Sequence, residues 1–287
     1  MKNVFVKGLL VTGIVIAVLF NACKTQDVLT KARKSGVKME YSFPDNYLNY
    51  KQVQNIDQEI DAMGQIIDID IVSGVDYLIR KNASQGEDVK IDVKVNSVSM
   101  EMDVMGQSMD PDLTELNGKE FNMVVSKSGK EVDTHEADEI IFQTSPDERS
   151  SLGMIFNSIF PDLPENSVKL NSSWTSRDSI YFKDGDRYNL IVTNNTHTLN
   201  DFIEMDGVNV AEIKTIYEGY LKGKSYSQGE ELLINGKLTG EGTWYFDFEN
   251  GRLIKDETTG LADGKISMSM GEMSFKRSFT NTTTFGK

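Results

Sequence analysis

The chain has one cysteine and two histidines in 287 residues. A lone cysteine has no partner for an internal disulfide, and His135 and His197 lack the short spacing of a zinc pair. Basic charge is also short, with 30 Lys and Arg against 44 Asp and Glu, a net −14. Such a surface repels nucleic acid and anionic headgroups. No Gly-x-Ser-x-Gly elbow, glycine-rich phosphate loop or paired-glycine nucleotide fingerprint occurs. Asp110-Pro111-Asp112 and Asp184-Gly185-Asp186 do not extend into a calcium loop and read as turns. No catalytic residue, metal or cofactor is therefore assigned. A Ser-His-Asp set that meets only in the fold stays open, because its members need no common spacing.

What is present begins at the N-terminus. Lys2 and Lys7 precede an uncharged run from Gly8 to Phe20, and Ala22 stands just before Cys23. The run is short for a permanent span, which needs about 20 apolar residues. The segment resembles the bacterial lipoprotein signal peptide, in which the cysteine is diacylated and becomes N-terminal. That resemblance implies removal of residues 1–22, lipidation of Cys23 and, with Lys24 rather than Asp after it, the outer membrane. Removal takes Lys2 and Lys7, leaving 28 of the 30 basic residues against 44 acidic ones, a balance of −16. Residues 23–39, with Lys31, Arg33, Lys34 and Lys38, read as a polar tether near lipid headgroups.

Residues 40–287 read as one β-rich domain. Ile67, Ile69 and Ile71 alternate with Asp68 and Asp70, and Val89, Ile91, Val93 and Val95 alternate with Lys90, Asp92 and Lys94, the pattern of strands with one wet face. The set Val98, Met100, Met102 and Val104 continues on the other parity, so one extra residue, a β-bulge, is expected at Asn96-Ser97. A first meander is expected over 41–133 and a second over 174–286, with a hairpin at Asn250-Gly251. Between them, Ser145-Pro146-Asp147-Glu148 carries helix-start chemistry, and Leu152, Ile155, Phe156 and Ile159 follow at helical spacing. One amphipathic helix over 146–160 is expected.

The expected fold is mainly β: an antiparallel, strongly curved meander sheet or partly open barrel with that helix against its concave side. Met63-Gly64-Gln65 and Met105-Gly106-Gln107 echo one another, through duplication of two related halves or through shared turn glycines. Two methionine groups stand out, and period two puts Met100 with Met102 and Met268 with Met270 on single faces. Core packing, the lining of a pliable groove, and copper(I) binding by thioethers all use such pairs.

The succession of Cys23, the Ser145 to Phe160 segment, Pro161, Pro164 and Trp174 resembles a family of Gram-negative outer-membrane lipoproteins of unknown function. In architecture it is similar to half-barrel carriers that shuttle lipids and lipoproteins across the periplasm. The first reading is thus a non-enzymatic envelope lipoprotein binding a lipid-like ligand or a partner protein through the concave face. Met100, Met102, Met268, Met270, Leu152, Ile155, Phe156 and Ile159 are its candidate lining residues. A structural subunit of an outer-membrane complex without a pocket is the second reading, and a hydrolase with an unrecognised site, which loss of activity on replacing His135 or His197 would reveal, the third.

Overall fold

Strict alternation over long stretches leaves the backbone only one economical solution, a sheet in which every second side chain turns inward. The computed structural model describes residues 27 to 286 apart from 63, 87, 146, 147, 228 and 270. The leader, Cys23 and Met270 lie outside the described residues. Strands β1 (Leu48–Ala62), β2 (Gln65–Gln85), β3 (Asp88–Val104), β4 (Gln107–Ser108), β5 (Glu120–Ser126) and β6 (Glu131–Asp133) form the first meander. A separate hairpin, β7 (Ile141–Ser145) and β8 (Glu148–Ser151), follows. The second meander comprises β9 (Ser173–Asp184), β10 (Arg187–Met205), β11 (Val208–Ser227), β12 (Glu230–Asp247), β13 (Arg252–Met268) and β14 (Gly271–Gly286).

The two meanders join through β1 and β14 into one 12-stranded antiparallel sheet ordered β6-β5-β3-β2-β1-β14-β13-β12-β11-β10-β9, with β4 on the end of β3. A sheet this wide curls rather than staying flat. Small residues on the inner face of β12 and β13 help it bend. A Cβ on Gly240 or Gly260 would overlap the Tyr217 side chain, which lies across both strands. The strands are long, 21 residues in β2 and 20 in β11, so a single strand runs roughly 65 Å.

One end of this half-barrel, here the near end, is filled. Inward Val75, Tyr77, Ile79, Ile91, Val93 and Val95 are buried beneath the segments that connect the meanders. Helix α3 (Leu152–Phe156) drives Phe156 edge-on into Tyr77 and Phe121, with ring centroids 5.1 and 5.0 Å apart. Short α2 (His135–Asp138) packs so closely on α3 that a Cβ on Gly153 would strike Asp138. Toward the far end the same face changes: Ile67, Ile69 and Ile71 of β2 are only half-buried. A second, smaller apolar cluster gathers there around Tyr217, Leu238, Ala262, Ile266 and Phe275.

Several expectations are met. The parity change in β3 is a bulge, since Asp76 pairs with Ser97 and Tyr77 with Val95, leaving Asn96 over. Gly64 and Gly106 both take positive φ in far-end turns, so the repeated Met-Gly-Gln tripeptides share a turn glycine.

Other expectations are corrected. The helix placed over 146–160 is shorter, because Glu148–Ser151 pairs with β7 as a strand and only Leu152–Phe156 is helical. It stops where Asn157 turns extended and Ser158 takes φ 78°. The tether expected over 23–39 is docked in its described part. Residues 27–35 form helix α1, whose Leu29 and Ala32 join the near-end core. Arg33 then reaches the Asp201 carboxylate at 2.9 Å and the Phe202 carbonyl at 2.5 Å. Asn250-Gly251 closes a four-residue turn between Asp247 and Arg252 rather than a two-residue one, because the buried Asp247 carboxylate gathers the Glu249 and Asn250 N–H groups and Arg252.

Candidate functional site

Between the filled core and the far-end cluster, the inner face carries a belt of polar side chains. Register fixes it. Gln54 of β1 sits beside Asn281 of β14, which sits beside Thr258 of β13, and one row nearer the core Gln52, Thr283 and Asp256 line up. Across the sheet, Thr215 of β11, His197 of β10 and Trp174 of β9 form a second row, next to Tyr217, Asn195 and Ser176. Period two makes all of these inward.

A cavity of about 300 Å³ opens along this belt, lined by Asp178, Asp256, Trp244 and Arg277, by Leu221, Leu238 and Ala262 of the far cluster, and by Phe160 to Asp162 from the connecting segment. A second space of about 300 Å³ adjoins it through Ile191, Leu221 and Arg277. Its roof is the β7–β8 hairpin with Met154. That hairpin is strapped to the sheet by Arg149 on Asp184, at 2.7 Å, and by the Ser225 hydroxyl donating to Glu148 at 3.0 Å. Together the two spaces make a groove between strap and sheet, with Ile191, Leu221 and Ile234 set among charged side chains such as Arg149, Lys222 and Arg277 toward the far end and the polar belt at its deep end.

The polar belt is a connected chain of hydrogen bonds. The indole N–H of Trp244 donates to the Thr215 hydroxyl at 2.9 Å. Thr215 bonds His197 Nδ1 at 2.7 Å, and His197 Nε2 bonds Ser176 Oγ at 3.0 Å. Ser176 in turn hydrogen-bonds the Asp162 carboxylate. His197 is 3% exposed, and burial pushes its pKa down to about 4, so the ring is neutral near pH 7. Tryptophan can only donate. Asn195 Nδ2 also donates to Ser176 Oγ at 3.1 Å. His197 and Ser176 thus stand at the spacing of a nucleophile and its base. His135 lies on the surface, 3.3 Å from Glu139.

The carboxyls of this region are held up. Burial raises Asp162 to about 6, helped by the charge of Asp178, and raises Asp256 to about 7. Asp178 is raised by burial even though Asn195 donates to it at 2.5 Å. Glu131, just beneath, is pushed by burial to about 8. Among the described residues, no group of three or more His, Cys, Asp and Glu side chains is placed to hold a metal ion.

Of the candidate lining residues, Met100 and Met102 face inward from the far half of β3, and Met268 faces inward at the far end of β13. Strands β2, β1 and β14 lie between the two groups. Met270 lies outside the described residues. Leu152 and Phe156 are wholly buried and Ile159 nearly so, all in the near-end core, with Ile155 packed against it. The helix positions thus belong to the plug, Met100 packs against it, Met102 and Met268 lie on the far half of the inner face, and none of these residues is among those lining the two cavities. Asp256, His197, Tyr217 and Asn195 had not been singled out for the groove. Their only sequence signal was parity, Asp256 sharing even numbers with Ala262 and Ile266.

No protein-family model and no curated protein matches the chain. Among solved structures it is similar to OccK5 (OpdH) of Pseudomonas aeruginosa, at 6% identity over 86% of this chain and 100% of that one, with a TM-score of 0.30. It is also similar to an exported protein with a YmcC-like fold from Bacteroides fragilis, at 10% identity over 86% and 97%, with a TM-score of 0.24. Likenesses of this degree leave the site to be read from the chain's own residues.

Proposed function

We propose that this is a lipid-anchored protein of the bacterial outer membrane that holds a lipid-like apolar ligand, without catalysing a reaction on it, in the groove between the β7–β8 strap and the sheet. The observation that carries the reading is that inward residues of the far half such as Ile56, Ile191 and Leu221 are apolar yet only half-buried, and they border two adjoining cavities. Apolar side chains left half-covered on a concave surface are the usual lining of a small-molecule site. Outward apolar residues such as Ile216 and Leu261 stand singly among polar neighbours, the ordinary state of a protein surface.

The anchor fits the same picture. If Cys23 carries the acyl chains, only residues 24–26 separate it from the docked α1, a reach of at most about 14 Å over four links. The filled near end then faces the anchoring membrane and the far-end opening points away from it. A ligand would enter from the compartment or from a partner on that side. The test is native mass spectrometry of protein purified from membranes, with lipid extraction of the same sample. Acylated chain with co-purifying lipid supports the proposal. Chain with no acyl mass, or with an empty groove that takes up no added lipid, contradicts its anchor or its ligand respectively.

A further inference from the structure

The deep end of the groove carries a charge with no counterpart. Asp256 faces inward on β13, in register with buried Thr283 on one side and Trp244 on the other. Among the described residues its carboxyl receives the hydroxyl of Thr258 alone, two residues along the same strand, at 3.3 and 3.5 Å. A strong O–H···O⁻ bond measures about 2.5 to 2.7 Å. The adjacent Lys255 is turned to the other face and pairs with Glu257 at 2.9 Å. Arg277, the cation among the lining residues, lies six residues along β14 from Thr283, roughly 20 Å away at 3.3 Å per residue. Arg277 is in any case held by Gln58 at 2.7 Å.

A half-buried carboxyl facing a cavity with no ion-pair partner among the described residues is costly, and a sheet does not need one there. Thr, Asn or Ser would fit the same inward position on β13 without the charge. Asp178 and Asp162 line the same cavity further along, Asp178 in the register row of Ala262 and Arg277, with Asn195 and Ser176 as hydrogen-bond partners and the Lys130 charge acting on both. The walls beside them are aromatic: Trp244, Phe160, Tyr217 and Phe279.

Resting on the groove reading above, we infer that the deep end receives the positively charged, hydrogen-bond-donating head of an amphiphile, an amine head in the simplest case. Asp256 is its counter-charge, and the tail lies along Ala262, Leu221 and Ile191 toward the far end. A phosphate or carboxylate head seated at Asp256 would meet a carboxyl there, with Arg277 six residues along the strands. Aromatic faces beside an ammonium add cation–π attraction.

The test uses the native probes Trp174 and Trp244, which flank His197 with ring centroids 5.3 and 5.9 Å away. The full chain is titrated at pH 8 and 0.15 M salt with dodecylamine, dodecanol and dodecanoate, each below its micelle concentration, and tryptophan fluorescence is read. Dodecylamine is expected to bind at least tenfold tighter than dodecanol, with dodecanoate weakest. Asp256→Asn is expected to bring the amine within threefold of the alcohol while leaving the alcohol unchanged, and Asp256→Ser to do the same should the amide not be tolerated. Dodecanoate binding as tightly as the amine overturns the inference and leaves the groove standing. So does an amine preference that survives both substitutions, as attraction to the acidic surface alone would. No binding by any of the three overturns the groove itself.

Discussion

The near and far halves of the sheet are built from the same strands, with the same alternation, and end in different states. In β2, Val75, Tyr77 and Ile79 are sealed beneath the connecting segments, while Ile67, Ile69 and Ile71 on the same face stay half-covered. Nothing in the strand itself changes between residues 71 and 75. What changes is the cover: α1, α3 and the loops around them fill the near end, and among the described residues the β7–β8 strap alone crosses the far half. A strand's period decides which side chains point inward, but connections far away in the chain decide whether inward means core or groove.

This contrast breaks most visibly under substitution. Phe156→Ala, which empties the centre of the filled half, is expected to cost about 4 kcal/mol, read as a lowered urea midpoint with an unchanged slope. Phe279→Ala, on the groove wall, should cost only about 1 to 2 kcal/mol, because much of its ring already borders open space. Equal costs for the two would dissolve the distinction between plug and groove.

Between these in size is an electrostatic effect. The folded protein holds Asp256 near 7, above the ordinary carboxylate value, so it favours the protonated form. The stability this group contributes is fully present below about pH 4 and is lost as pH rises through 7. Asp256→Asn should therefore stabilise the empty protein at pH 8 by on the order of 3 kcal/mol and change little at pH 4. Denaturant titrations at the two pH values read the difference. Asp162 and Glu131 are raised in the same sense, so some loss of stability with rising pH should remain in the variant.

Least in size is the effect of Arg33→Ala. Losing the contacts to Asp201 and the Phe202 carbonyl should cost about 1 kcal/mol, since the side chain is partly exposed. The local signature is faster amide exchange over 27–35, with exchange in β2 and β3 unchanged. Arg33 also holds the Asp201 carboxyl below its usual range, a stabilisation present near neutral pH and lost on acidification.

The strands, the bulge at Asn96 and the curled antiparallel sheet could be read from period two, because each is a local property of alternating residues. So could the inward direction of Met100, Met102 and Met268. The helix over 146–160 was misjudged because Leu152, Ile155, Phe156 and Ile159 keep helical spacing whether or not the backbone between them is helical. Pairing of Glu148–Ser151 with β7 is a tertiary decision. Helix α1 was missed because two small anchors, Leu29 and Ala32, sit within a basic stretch that resembles a linker. The polar belt was hidden for a different reason. A polar residue within an alternating run looks solvated until the partner strand shows which face it takes, as with Asp256 and His197.

The central claim is that the far half of the inner face, beneath the strap, is where an apolar molecule sits. A dodecanol bearing a photoactivatable diazirine, crosslinked to the full chain and mapped by peptide mass spectrometry, tests this most directly. Labels are expected on the inward residues Ile191, Leu221, Ala262 and Phe279 and on Met154 of the roof, and should be lost with excess unlabelled alcohol. Labels spread over the outward residues Ile216 and Leu261, undiminished by that competition, would contradict the account.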